Sequence, residues 1–247
     1  MQWDWWWRTK MTKRSKRYRD LETKIEKKPA YTLTEAVQRV KATANVKFDE
    51  TVDLAINLGI DPKKQDQTVR GIVSLPFGSG KVIRILVITR GEKDKEAKDA
   101  GADFVGFDEY INKIKEGWLD FDMVVATPDV MSEVGKLGKI LGTKGLMPSP
   151  KTGTVTFDVG PTVKSLKAGR IQFKTDKTGN VHAIVGKASF SQDKLEKNIL
   201  AVISEIQKIK PATVKGQFLR TITLSSTMGP GYLLDHKEIT ELARKET

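Results

Sequence analysis

The sequence predicts a mixed α/β and α+β protein made of two bodies, the second inserted into the first. The first observation is electrostatic. Of a formal net charge of +12, residues 78–169 contribute 14 basic and 13 acidic side chains, so +1, and the flanks hold the other 29 and 18, so +11. The second is patterning: residues 82–168 alternate short continuous apolar runs with helical stretches, as a small parallel sheet with crossover helices does. The flanks instead carry cleanly alternating strands and one long amphipathic helix, which fits an α+β layer. The third is punctuation, since Gly78 and Gly169 suit two neighbouring linkers. The expected boundaries are a Trp-rich leader over 1–10, a discontinuous basic body over 11–77 and 170–247, and a near-neutral insert over 78–169.

The elements follow in chain order. Residues 1–10 hold four of the five tryptophans, and their apolar stretch precedes the basic one, which is the wrong order for a signal peptide. An artefact of an upstream start, with Met11 the real beginning, an aromatic–cationic arm and a membrane-surface anchor are the open readings. Lys13–Lys28 reads as a short basic helix, with Leu21 and Ile25 four apart, or as an arm ordered by a partner. A helix is expected from Thr34 as N-cap, with Ala36, Val37 and Val40 on one face. Glu50–Leu58 alternates Val52, Leu54, Ile56 and Leu58 as a strand, and Thr68–Leu75 is a second.

In the insert, Val82–Ile88, Asp103–Gly106 and Phe121–Ala126 read as strands. Lys93–Ala100, Tyr110–Lys115 and a stretch near Met131–Leu141 read as helices. Thr154–Asp158 is expected as a further strand and Val163–Ala168 as a closing helix. Arg170–Lys174 alternates, with Ile171 and Phe173 inward and Arg170 and Lys174 outward. Asp176–Asn180 should turn it back into Val181–Val185 as a hairpin. Gln192–Lys208 is the clearest amphipathic helix, with Leu195, Ile199, Val202, Ile203 and Ile206 in phase. Phe218–Leu224 is the last expected strand.

Composition excludes several functions. With 247 residues, 38% hydrophobic, the chain can bury substantial cores. It has no cysteine, so thiolate chemistry and disulfides are absent, and its two histidines, His182 and His236, stand far apart. No metal or cofactor is expected. No run approaches the roughly 18 apolar residues that a spanning helix needs. Basic flanks point to a polyanion as partner.

Gly78-Ser79-Gly80-Lys81 resembles a phosphate loop only on paper. It precedes a strand instead of opening a helix, and Val82 follows where Ser or Thr is needed. Gly135–Gly145 spaces glycines by three and four among Lys136, Lys139 and Lys144. A seat for a phosphate backbone and a close-packed helix with its C-cap and solvated lysines are both open. His182 lies on an alternating strand with no nucleophile paired to it. Asp103, Asp108, Glu109, Asp120 and Asp122 read as loop and cap carboxylates, so catalysis is not expected. A nucleotide-using enzyme would need a dinucleotide fingerprint, and a DNA regulator a recognition helix; neither is present. The better candidates are Lys47-Phe48-Asp49-Glu50-Thr51, a cation, aromatic and hydroxyl at a helix-to-strand transition, and Ser225–Gly231, hydroxyls on a glycine-rich turn. Such groups recognise folded RNA through sugars, phosphates and unstacked bases. Phe48 as a core residue and 227–229 as a simple strand-ending turn remain the alternatives.

At these residues the chain resembles the ribosomal protein L1 family in its bacterial form. The segments that carry the resemblance include Lys47-Phe48-Asp49-Glu50-Thr51-Val52, Leu58-Gly59-Ile60-Asp61-Pro62-Lys63, Ala126-Thr127-Pro128-Asp129, Pro148-Ser149-Pro150-Lys151-Thr152-Gly153 and Ser226-Thr227-Met228-Gly229-Pro230. Together with shorter matches they run from about Met11 to Gly231. The resemblance implies an L1-like fold: a discontinuous α+β domain I and an inserted Rossmann-like α/β domain II. It implies a structural constituent of the large ribosomal subunit that binds 23S-type rRNA at the mobile stalk and assists release of deacylated exit-site tRNA. It also implies repression of translation by binding the protein's own operon mRNA, a cytoplasmic, ribosome-associated location, and a monomer when free. Carried over by motif, the RNA contacts fall on Lys47, Phe48, Thr51, Thr221, Thr227, Met228 and Gly229, with Glu50 ordering the site. Arg170 and Lys174, the outward cations of the same domain, are expected among its RNA-binding residues. Lys136, Lys139 and Lys144 are the expected secondary contact with RNA or tRNA. The family usually has Pro-Arg-Gly where Thr143-Lys144-Gly145 stands, and often Ser at Thr221.

Overall fold

The computed structural model describes residues 15–24, 28–62, 64–91, 93–211, 213–214 and 216–245. The Trp-rich leader and Ile25 lie outside them. A four-stranded antiparallel sheet, ordered β7-β1-β8-β9, consists of β1 (Thr51–Leu58), β7 (Asn180–Lys187), β8 (Leu219–Ser226) and β9 (Gly231–Leu234). Strict alternation sends Val52, Leu54, Ile56 and Leu58 to one face, where Ile222 and Leu224 join them. Two helices cover that face: α2 (Leu33–Thr43), through Ala36, Val37 and Val40, and the long α8 (Gln192–Lys208), through Leu195, Ile199, Val202 and Ile203. A two-stranded antiparallel ribbon, β2 (Arg70–Ser74) with β6 (Arg170–Lys174), packs on α8. The basic segment near the start forms α1 (Lys16–Lys24), in which Leu21 is buried.

Residues 85–166 build separate cores. In the parallel order β4-β3-β5, β3 (Ile85–Ile88) lies between β4 (Phe104–Gly106) and β5 (Met123–Ala126). All of β3 is buried because both faces are covered. Ile85 and Val87 meet α3 (Lys93–Asp99) and α7 (Val159–Lys167) through Ala97, Val159, Val163 and Leu166. Leu86 and Ile88 meet α4 (Asp108–Lys115), α5 (Met131–Lys136) and α6 (Gly138–Thr143) through Ile111, Ile114, Val134 and Leu141. The mixed α/β character holds, with discrete sheets and segregated cores.

Several expectations need correction. Thr32, not Thr34, caps α2: its hydroxyl accepts from the Glu35 N–H at 3.3 Å, the spacing of a capping box. The run from Val82 becomes strand only at Ile85, and Val82 is 89% exposed. Thr154–Asp158 is not a strand. It makes one bridge, Val155 to Ala126, and the Thr156 hydroxyl then accepts from the Asp158 N–H, bending the chain away. Met131–Leu141 is two helices, broken at buried Leu137. Arg170–Lys174 and Val181–Val185 do not pair along their length: past one Thr175–Val181 bridge they enter different sheets. β9 and α9 (His236–Lys245) complete the C-terminal side and were not expected.

The two linkers touch. Gly78 and Gly169 have φ of 68° and 105°, and a Cβ at Gly169 would run into the Gly78 backbone. Fully buried Asn198 on α8 ties the first linker down. Its Oδ1 accepts from the Phe77 N–H (3.2 Å), and its Nδ2 donates to the carbonyls of Gly78 (3.0 Å) and Val185 (2.8 Å).

Candidate nucleic-acid interface

The end of β8 and the start of β1 are neighbours because Val52 pairs with Ser226. The turn 227–229 is thereby laid against residues 50–51. The Thr51 N–H donates to the Thr227 hydroxyl at 3.0 Å, and the Thr227 N–H donates to the Thr51 carbonyl at 3.0 Å. The Met228 N–H donates to Glu50 Oε2 at 2.9 Å. Glu50 is only 1% exposed, so its carboxylate sits behind the turn. Lys187 from β7 donates to the Thr51 hydroxyl at 2.9 Å. Asp49 accepts from the Ser189 N–H and hydroxyl, pinning the same loop to the end of β7.

This scaffold holds two large apolar side chains in solvent. Phe48 is 55% exposed and Met228 47%. The reading of Phe48 as a core residue is therefore wrong. Lys47 and Thr227 are exposed beside them, while Thr51 and Gly229 are half-buried. A Cβ at Gly229 would meet Ser226 Oγ, so a larger residue there requires the Ser226 hydroxyl to turn away.

Thr221 lies six residues along β8 from Thr227, about 20 Å away at roughly 3.3 Å per residue. It still shares a face with the turn. Thr221, Thr223, Ser225 and Thr227 alternate with buried Ile222, Leu224 and Ser226, giving a row of hydroxyls on the open side of the sheet. Across from this row stand Asn57, Ala55 and Asp53 of β1, with exposed His182 beyond on β7. Burial raises the Asp53 carboxyl above its ordinary value, against the opposing pull of His182 and Lys187. Sequence reasoning named Ser225 with the turn but missed Thr223, although the period-2 pattern contained it.

The remaining candidates lie elsewhere. Arg170 and Lys174 belong to the two-stranded ribbon, and half-buried Arg170 donates to the Thr152 carbonyl at 3.4 Å, so its guanidinium supports the 150–153 loop. Lys136, Lys139 and Lys144 are exposed on α5, α6 and the residue after it, with no ion pair to a described carboxylate. Nothing lies within 4 Å of a Cβ at Gly135, Gly138, Gly142 or Gly145, which removes close helix packing as their reason. Lys81 pairs with Asp122 at 2.6 Å, so the false phosphate loop has its lysine engaged. Among the described residues, no helix is long and apolar enough to cross a membrane, and no cluster of three His, Cys, Asp or Glu residues is placed to hold a metal.

The sequence profile of the "Ribosomal protein L1p/L10e family" matches residues 40–230, a span that includes every candidate residue above. A relative from Kosmotoga olearia, "Large ribosomal subunit protein uL1", is 53% identical over 231 residues, covering 94% of this chain and 100% of the relative.

Proposed function

We propose, since the chain belongs to the ribosomal protein L1p/L10e family, that it binds 23S-type rRNA at the mobile stalk of the large ribosomal subunit. Like its family, it is a ribosomal protein and not an enzyme. The observation that carries the reading is the turn 227–229: its backbone is held by Glu50 and Thr51 while the Met228 side chain and nearby Phe48 stay in solvent. A rigid turn bearing a flexible apolar side chain, beside an exposed aromatic and a hydroxyl row, suits unstacked bases and 2′-hydroxyls. The main interface is Lys47, Phe48, Thr51, Thr221, Thr227, Met228 and Gly229, with Glu50 as support. Arg170 and Lys174 are at most peripheral to it. The segregated cores support a discontinuous L1-like domain I (11–77 and 170–247) and an inserted Rossmann-like domain II (78–169). The unpaired lysines at 136, 139 and 144 form the secondary contact with RNA or tRNA. On this reading the protein also assists release of deacylated tRNA from the exit site and represses its own operon mRNA. It acts in the cytoplasm, on the ribosome, and is monomeric when free.

Filter binding to transcribed large-subunit rRNA across a salt series tests the site. Met228→Ala should weaken binding with an unchanged salt slope, because its contact is not ionic. Lys47→Ala should lower the slope by about one unit. Wild-type affinity for Met228→Ala would remove the assignment.

A further inference from the structure

Arg17, on the basic helix α1, reaches both walls of this interface. Its Nη2 donates to the Met228 carbonyl at 2.6 Å and its Nη1 to Asn45 Oδ1 at 3.1 Å. Asn45 lies in the loop that leads to Lys47 and Phe48. Met228 is thus held at both ends of its backbone: the N–H by the Glu50 carboxylate and the carbonyl by the Arg17 guanidinium. One turn further along α1, on the same face, Leu21 is buried.

We infer that Arg17 is a positioning residue of the RNA interface, a fork that joins the Asn45–Phe48 loop to the Met228 turn. The inference rests on the RNA-binding reading given above. Two bonds leave different nitrogens of one planar group, so the fork fixes a distance between the walls as well as supplying charge; a lysine ammonium has no such plane. Both acceptors are neutral, and no described carboxylate pairs with Arg17. Among the described residues its charge meets no carboxylate, and at the edge of the site it also favours a phosphate. The basic N-terminal segment then has a defined role for one residue, beyond diffuse attraction.

The test uses the full chain with Arg17→Ala, Arg17→Lys, Asn45→Ala and the Arg17→Ala/Asn45→Ala pair, and Thr227→Ala as a control for the site. Affinity for transcribed large-subunit rRNA is measured across a salt series. In the free protein, the methyl resonance of Met228 is followed by NMR with methyl-labelled methionine. Arg17→Ala should weaken binding roughly ten-fold, the loss of one charge-assisted hydrogen bond, and should shift the Met228 methyl. Arg17→Lys should keep the salt slope and regain only part of the affinity. The double variant should bind like Arg17→Ala, because both changes open the same fork. Wild-type binding by Arg17→Lys, or an Arg17→Ala loss confined to the salt slope with an unmoved Met228 methyl, would overturn the fork and leave charge alone. Wild-type or tighter binding by Arg17→Ala, while Thr227→Ala loses affinity, would overturn the inference and leave the RNA site standing. Unchanged binding by both would overturn the site and the inference together.

Discussion

Replacing Asn198 with Ala removes a side chain that has no exposed surface and engages three backbone groups at 3.2, 3.0 and 2.8 Å. The Phe77 N–H and Gly78 carbonyl are near the surface and regain water, so each bond costs about 1 kcal/mol. The Val185 carbonyl is buried and bears a desolvation cost of about 1–3 kcal/mol when unpaired. The expected loss is therefore about 3–5 kcal/mol, which at roughly 2–4 °C per kcal/mol for a chain of this size lowers Tm by about 10 °C. Urea unfolding followed by far-UV circular dichroism measures it, with an unchanged m expected. Asn198→Leu separates the causes, since it fills the volume but pairs none of the three groups. A loss below about 1 kcal/mol for the alanine variant, or wild-type stability for the leucine variant, would refute the claim that these bonds hold the linker.

Glu50→Gln keeps an acceptor for the Met228 N–H and should retain RNA affinity. Glu50→Ala should lose about 2 kcal/mol of stability and weaken binding as well; equal binding by both variants would deny Glu50 its ordering role. Asp176 accepts from the Asn180 and Thr178 N–H groups and the Thr178 hydroxyl, and these bonds hold its carboxyl down to about 2. Its contribution to the 176–180 turn is complete above pH 4 and is lost as pH falls through about 2; a carbon-detected titration midpoint near 4 would contradict this. Joining residue 77 to residue 170 through a short linker should yield a folded protein that keeps most of the RNA affinity, and a folded deletion variant that no longer binds rRNA would place the main contacts in the excised segment.

The sequence disclosed elements whose cause is local. Gln192–Lys208 was predicted to the residue because one apolar stripe runs its whole length, and Arg170–Lys174 because strict alternation has a single reading. Choice of strand partner was not legible: β6 and β7 are joined by a good turn, yet each finds its sheet through distant chain. The false strand at Thr154–Asp158 failed because a threonine hydroxyl diverted the backbone, which composition does not reveal. At the interface, the exposed glycine-rich turn and the Phe48 motif were visible, since Gly229 and the surrounding hydroxyls serve no core. Asn45, Arg17 and Asn198 were invisible because their roles run through groups distant in sequence, 28 residues between Arg17 and Asn45 and 121 between Asn198 and Phe77.

The position of β1 in the middle of its sheet has a consequence in time. β1 is translated early, but both of its neighbours come from near the C-terminus; the Asn57–Asn180 side-chain bond spans 123 residues. During synthesis, β1 and α2 must wait with their apolar faces unpaired until β7, α8 and β8 emerge. Residues 85–166 contain their whole cores and can fold in the meantime. The last part of the protein to be made therefore completes the surface that the first part began, and a nascent chain stalled before β8 lacks the Met228 turn.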